Sequence, residues 1–297
     1  IIEEDFDTWS FDVFLLSKLT GGCPLLFTGW EALRRTGLLS DFGIDPERVC
    51  NFLGRTESRY ASDVVVPYHN NLHAADVTQC VHALLGDLGL SGYLDRLSSL
   101  TLLLSAAIHD MGHDGRNNAF HVSIQDELAL VYNDKSVMEN HHVSTAFRMM
   151  WRHPETNLFE GLGKNQHSMV RREVIDMVLG TDLAHHFDGV GALRQQLKHA
   201  GTKLLDWYQN KDAMDQLRCT VLHAADISNP AKPFRISVQW TARCLREFFE
   251  QGDAEKELGL PVSPLCDRCA VQVPQSQLGF IEFIVQPTFE ALAELAP

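Results

Sequence analysis

Leu100-Thr101-Leu102-Leu103-Leu104-Ser105-Ala106-Ala107-Ile108-His109-Asp110-Met111-Gly112-His113 decides how this chain is read. Leu100, Leu103, Leu104 and Ala107 recur at i, i+3, i+4 and i+7, the spacing of one helical face. The remaining positions are mostly apolar too, so the helix is expected to be buried, and it runs directly into His109-Asp110. Burying a polar group without a partner costs roughly 1–3 kcal/mol, and a charge more. Two copies of one pentapeptide flank the segment, Leu72-His73-Ala74-Ala75-Asp76 and Leu222-His223-Ala224-Ala225-Asp226. So many imidazoles and carboxylates in apolar surroundings call for a common partner, and one metal ion supplies it. His with Asp, and no thiolate among them, suits Zn, Mn, Fe or Mg chemistry rather than a structural zinc finger.

Helical patterns extend in both directions. Asp45-Pro46-Glu47 reads as a helix start, with Asp as the cap and Pro in the first helical position. Ser136-Val137-Met138-Glu139 has capping-box spacing and predicts a helix to about Trp151. Further helices are predicted over 169–183, 214–227 and 234–251, the last stopped by Gly252, and over 278–292, bent or broken at Pro287. No series of alternating strands is present, and no low-complexity linker divides the chain. The expected fold class is all-α, one compact multi-helix domain over 1–297 with a central binuclear metal pocket. Within it, 1–59 forms an N-terminal helical part and 60–292 the core.

The 297 residues carry 25 Lys+Arg against 39 Asp+Glu, a net charge of −14. Nucleic-acid binding normally needs a basic face, so it is excluded as the main activity. No stretch approaches the roughly 18–20 apolar residues that span a bilayer. The opening Ile1-Ile2-Glu3-Glu4-Asp5 has no starting Met and no basic signal flank, so the chain is read as a fragment of a longer protein. Seven scattered cysteines read as reduced thiols of an intracellular, cytoplasmic protein. The lone pair Cys266-x-x-Cys269 has neither a second pair nor a redox context.

His73 and Asp76 lie three apart on a helix and share a face. His109 and His113, four apart, are expected to share one too. Asp110 is turned by about 100° from His109, which lets the adjacent pair serve two metals. Asp76 serves equally as a hydrogen-bonding partner that orients a ligand. His82, His121, His153, His167, His185, His186 and His199 are read as surface or packing histidines.

Tyr68-His69-Asn70-Asn71-Leu72-His73-Ala74-Ala75-Asp76-Val77 resembles the signature of class I cyclic-nucleotide phosphodiesterases, whose domains are HD-type metallophosphohydrolases. Ala107 to Asp110, Tyr132 to His142, Ala225 to Pro230 and Ser276 to Ile281 resemble that family in matching order. The stretches 73–79, 222–228 and 259–268 look most like its calmodulin-dependent, dual-specificity branch. The resemblance implies hydrolysis of cAMP and/or cGMP to nucleoside 5′-monophosphates by a hydroxide held between two divalent metals. It implies that His73, His109, Asp110 and Asp226 hold a zinc, and that Asp110 bridges to a magnesium, with manganese as the alternative. His113, Glu139 and Thr181 would position waters around that ion. His69 matches the general acid, and Gln277 and Phe280 the purine-binding pair, with Asn229 and Tyr68 also lining the pocket.

This chain departs from the family pattern at Gly112 and Asp114, and it carries Asn229 where the calmodulin-dependent branch generally has His. The expected partner is a small cyclic nucleotide, with no nucleic acid and no membrane segment; the residues identify no regulatory partner. The metal ligands alone also fit an HD-type phosphohydrolase acting on another nucleotide or phosphate ester.

Overall fold

The computed structural model describes residues 2–296. Among these residues every regular element is helical, with no strand. Eleven helices have eight or more residues: α1 (Pro24–Arg35), α2 (Pro46–Glu57), α3 (Asn71–Asp87), α4 (Arg96–Ile108), α5 (Val137–Arg152), α6 (Lys164–Leu179), α7 (His186–Ala200), α8 (Lys211–Asp226), α9 (Phe234–Glu257), α10 (Val273–Phe280) and α11 (Gln286–Ala293).

Helix α3 lies at the centre, packed on α1, α4 and α8. Its residues 72–81 are all buried, as are Leu97 to Ile108 of α4, so the near-continuous apolar runs are explained by burial on all sides. One core cluster takes in residues from Phe6 to Leu295, and the helices before residue 60 share it. Local caps fix where the helices begin. Asp45 accepts from the Glu47 amide with Pro46 in the first turn, and Asp95 caps α4. Asn70, fully buried, accepts from the Leu72 amide while its own amide group donates to the Val66 and Pro67 carbonyls. That cap locks the turn carrying Tyr68 and His69 onto the start of α3.

Three sequence expectations are corrected. Ser136 does not close a capping box: it sits in the left-handed region (φ 40°) and its hydroxyl donates to Asp182 (2.8 Å), while Glu139 accepts from Asn118 (2.9 Å). Gly252 does not stop α9, which runs on to Glu257; the glycine instead admits the Cys266 backbone, since a Cβ there would lie 2.0 Å from the Cys266 carbonyl oxygen. The interruption near the C-terminus is a π-helical segment, Ile281–Val285, and Pro287 lies in the first turn of α11, where its missing N–H is harmless.

Candidate metal centre and active site

Four side chains from separate parts of the chain meet at one point. His73 lies in the first turn of α3, His109 and Asp110 follow directly on α4, and Asp226 is the last residue of α8. His73 Nε2 is 2.9 Å from Asp226 Oδ1, 3.2 Å from His109 Nε2 and 3.4 Å from Asp110 Oδ2. His109 Nε2 is 3.1 Å from Asp110 Oδ2 and 3.4 Å from Asp226 Oδ1. The His109 Nδ1–H donates to the Ala106 carbonyl (2.9 Å), so Nε2 is the nitrogen that faces the cluster.

These separations test whether a cation fits. Donors about 2.0–2.2 Å from one ion stand roughly 2.9 Å apart in an octahedron and roughly 3.4 Å apart in a tetrahedron. The observed spacings fall in that range, and the donor set is the His and carboxylate kind that zinc accepts. The electrostatics agree. Burial raises the Asp110 carboxyl, but His109 beside it holds it well below the usual carboxylate range. Burial likewise opposes ionised Asp226, and hydrogen bonds to His109 and His73 keep it low. Buried imidazoles would normally lose their protons, yet Asp110 and Asp226 push His109 well up. The site thus favours positive charge at its centre.

A second group adjoins the first. His69 Nδ1 lies 2.5 Å from Glu247 Oε1, and the other Glu247 oxygen accepts from the Tyr68 and His69 amides. Burial would lower the His69 imidazole, but the Glu247 carboxylate overrides it and raises the group to about 9. Glu247 itself is held at about 2, because His69 outweighs the cost of its burial. His113 stacks on His69 with ring centroids 4.1 Å apart, and on His142 at 5.5 Å. Burial and then the charge on His69 hold His113 at about 4, so it is neutral, and its Nδ1 accepts from the Gly115 amide.

His113 does not share a helical face with His109, because α4 ends at Ile108. A turn follows instead. Gly112 adopts φ +83°, where only glycine is unstrained, and a Cβ there would come within 3.1 Å of His141. Asp114 is exposed and belongs to neither donor group, lying 3.4 Å from His121 Nε2.

Asp76 stays out of the cluster, forming a buried pair with Lys232 (3.2 Å). The two pentapeptides are thus used in opposite senses. The first sends its His to the cluster and its Asp to a lysine. The second sends its Asp, while His223 hydrogen-bonds His186 (2.9 Å).

The remaining sequence candidates fall as follows. Glu139 is partly buried against Asn118, and desolvation, then Asp182, raises its carboxyl to about 7, with Asp110 close enough to contribute. The Thr181 hydroxyl donates to the Val178 carbonyl (2.8 Å). Tyr68 packs on His73 and His69 and accepts a hydrogen bond from Asn229. Gln277 and Phe280 are three apart on α10, both partly buried, and Thr241 of α9 holds the Gln277 amide (3.1 Å).

Glu247, Thr241 and His142 were missed from sequence. His142 is buried, donates from Nδ1 to Met111, and lies 3.7 Å from the second oxygen of Asp110. Glu247 and Thr241 sit in an ordinary amphipathic helix with no motif around them, so only the fold reveals them.

An all-helical domain thus gathers four donors at the spacing of a cation site, with an imidazole–carboxylate pair alongside. The family model for 3′5′-cyclic nucleotide phosphodiesterases matches residues 68–297, and the chain belongs to that family. It is 44% identical over 294 residues to the mouse dual specificity calcium/calmodulin-dependent 3′,5′-cyclic nucleotide phosphodiesterase 1C, covering 98% of this chain and 40% of the relative. It is 43% identical over 293 residues to the human 1B enzyme of the same description, covering 99% of this chain and 53% of the relative. The chain therefore spans roughly two-fifths to one-half of these relatives. The crystal structure of the phosphodiesterase domain of a RhoPDE fusion protein from the choanoflagellate Salpingoeca rosetta superposes with a TM-score of 0.88. That structure shares 29% identity, and the match covers 98% of this chain and 89% of that one. No helix among the described residues is long and apolar enough to cross a membrane.

Proposed function

We propose that this chain hydrolyses 3′,5′-cyclic nucleotides, cAMP and cGMP, to nucleoside 5′-monophosphates. The carrying observation is the His69–Glu247 pair standing beside a four-donor His/Asp cluster in a member of this family. His73, His109, Asp110 and Asp226 would hold a divalent ion, zinc by the chemistry of the donors. By the family resemblance Asp110 would also serve a second ion, magnesium or manganese, with His113, Glu139 and Thr181 positioning its waters. Such ions supply an activated water and neutralise charge on the phosphoryl oxygens.

The protein's own groups do the rest. With Nδ1 held by Glu247, His69 has Nε2 free to donate a proton to the departing 3′ oxygen as its bond to phosphorus breaks. Neutral His113 stacks on the His69 ring and fixes its plane. Phe280 offers an apolar face to the purine, and Gln277 offers an amide whose oxygen and nitrogen match either base edge. Asn229 and Tyr68, bonded to each other, close the pocket beside His73. Activity on both nucleotides is favoured by the dual-specificity relatives. Seven free cysteines support an intracellular, cytoplasmic setting.

The test is steady-state hydrolysis of cAMP and cGMP, with Mg present and after metal stripping. Metal-dependent turnover of both is expected. A folded, metal-loaded sample that turns over neither would refute the reading and direct attention to an HD-type phosphohydrolase of another nucleotide or ester, which a substrate panel would identify.

A further inference from the structure

The short turn that follows α8 carries Asn229, and it is fastened from an unexpected direction. Trp9 donates from its indole nitrogen to the Ala231 carbonyl (3.0 Å). The Lys232 ammonium lies 4.9 Å from the centre of the Trp9 ring, a cation–π distance. Gln79 of α3 donates to the Phe6 and Thr8 carbonyls (2.7 and 3.0 Å), and its oxygen faces Lys232 Nζ at 3.4 Å. Phe6, Gln79 and Lys232 are buried. Residues 6–9 lie outside the 68–297 stretch that the family model matches, and none of them reaches the His/Asp cluster.

We propose that the Phe6–Trp9 segment is a strap that sets the position of the 229–232 turn, with Trp9 as the positioning residue for Asn229 and hence for purine selectivity. The proposal rests on the phosphodiesterase reading for its kinetic consequence. Asn229 is two residues from the carbonyl that Trp9 holds, inside a single tight turn, so it cannot shift independently of Ala231. Its side chain, bonded to Tyr68, has a second anchor on the pocket side. Loosening the Trp9 end therefore tilts the amide relative to Tyr68, and no hydrogen bond runs from residues 6–9 to the four donor residues.

The experiment compares wild type with Trp9→Phe, which keeps an aromatic ring under Lys232 but loses the donor, and Trp9→Ala, which loses both. Hydrogen exchange is followed at residues 228–232 and at 73–80, together with metal content and kcat and KM for cAMP and cGMP. Exchange in the turn should quicken, more in Trp9→Ala, with α3 and metal content unchanged. The ratio of the two kcat/KM values should shift about three- to tenfold, the size of one net hydrogen bond, mainly through KM. Unchanged exchange in the turn, or an equal loss on both nucleotides, would overturn the proposal. Should Trp9→Ala fail to fold, Trp9→Phe decides alone. Wild-type protein that hydrolyses neither nucleotide would refute the functional reading, and the strap would then stand or fall on the exchange data.

Discussion

Replacing Glu247 by Gln should move the alkaline limb of the pH–rate profile. The carboxylate lies 2.5 Å from His69 Nδ1 and lifts that imidazole to about 9 against an ordinary value of 6.5. The sign follows directly. His69 with a raised pKa is protonated, and able to donate, below about 9, and it loses that form as pH rises through 9. Glu247, held at about 2, stays ionised across the whole assay range. With Gln in its place the largest opposing charge is gone while burial remains, countered only by Asp110 and Asp226, so His69 should fall back towards its ordinary 6.5. At pH 8 a group titrating near 9 is roughly nine-tenths protonated and one at 6.5 roughly 3%, a loss of about 30-fold in the competent form. That lies below the roughly 10²–10⁴-fold expected when a general acid is removed altogether. Near pH 5.5 the two proteins should converge. Bound divalent cations would pull both limbs down together, so the measurement is the difference between wild type and variant in kcat/KM from pH 5.5 to 10. Coincident alkaline limbs would refute the assignment of Glu247 as the group that charges His69.

Four further outcomes are expected. Asp226→Ala should lose bound metal and activity together, and full metal content by elemental analysis would remove Asp226 from the ligand set. His69→Ala should keep its metal while turnover falls by roughly 10²–10⁴-fold, so metal loss would contradict a purely proton-donating role. Gly252→Ala places a methyl 2.0 Å from the Cys266 carbonyl oxygen, and the forced shift should destabilise the protein by about 1–3 kcal/mol in thermal melts, whereas an unchanged Tm would show that the 259–268 loop moves freely. Hydrogen bonding from Arg34, then Arg35 against the cost of burial, holds Glu31 at about 2. A depressed carboxylate contributes stability above its unfolded value of 4.5 that is lost as pH falls towards 2, so Glu31→Gln should be less stable at pH 7 and indistinguishable from wild type near pH 2.

The helices were legible because burial and periodicity speak the same language. The Leu100–Ile108 run, the Asp45-Pro46 start and the absence of strands needed only local rules. The convergence of His73, His109, Asp110 and Asp226 was legible for a different reason: polar residues embedded in apolar runs must find partners. What escaped depended on distant parts of the chain. Whether Gly252 ends a helix or admits a loop is decided by the Cys266 backbone, fourteen positions away. Ser136 has the right neighbours for a cap, but Asp182 competes for its hydroxyl. Glu247 reaches His69 across 178 positions of sequence, and no periodicity records that pairing.

The cluster also sits where two helices end. His109 follows the last residue of α4, and Asp226 closes α8, so two helix C-termini meet at the cluster. Each pole is equivalent to about half a negative charge, and two together add roughly one unit to the carboxylates already there. A cyclic phosphate, the proposed substrate, would be repelled by that floor until a divalent ion reversed the local field. Under the proposed function, the expected order of loading is cation first, nucleotide second.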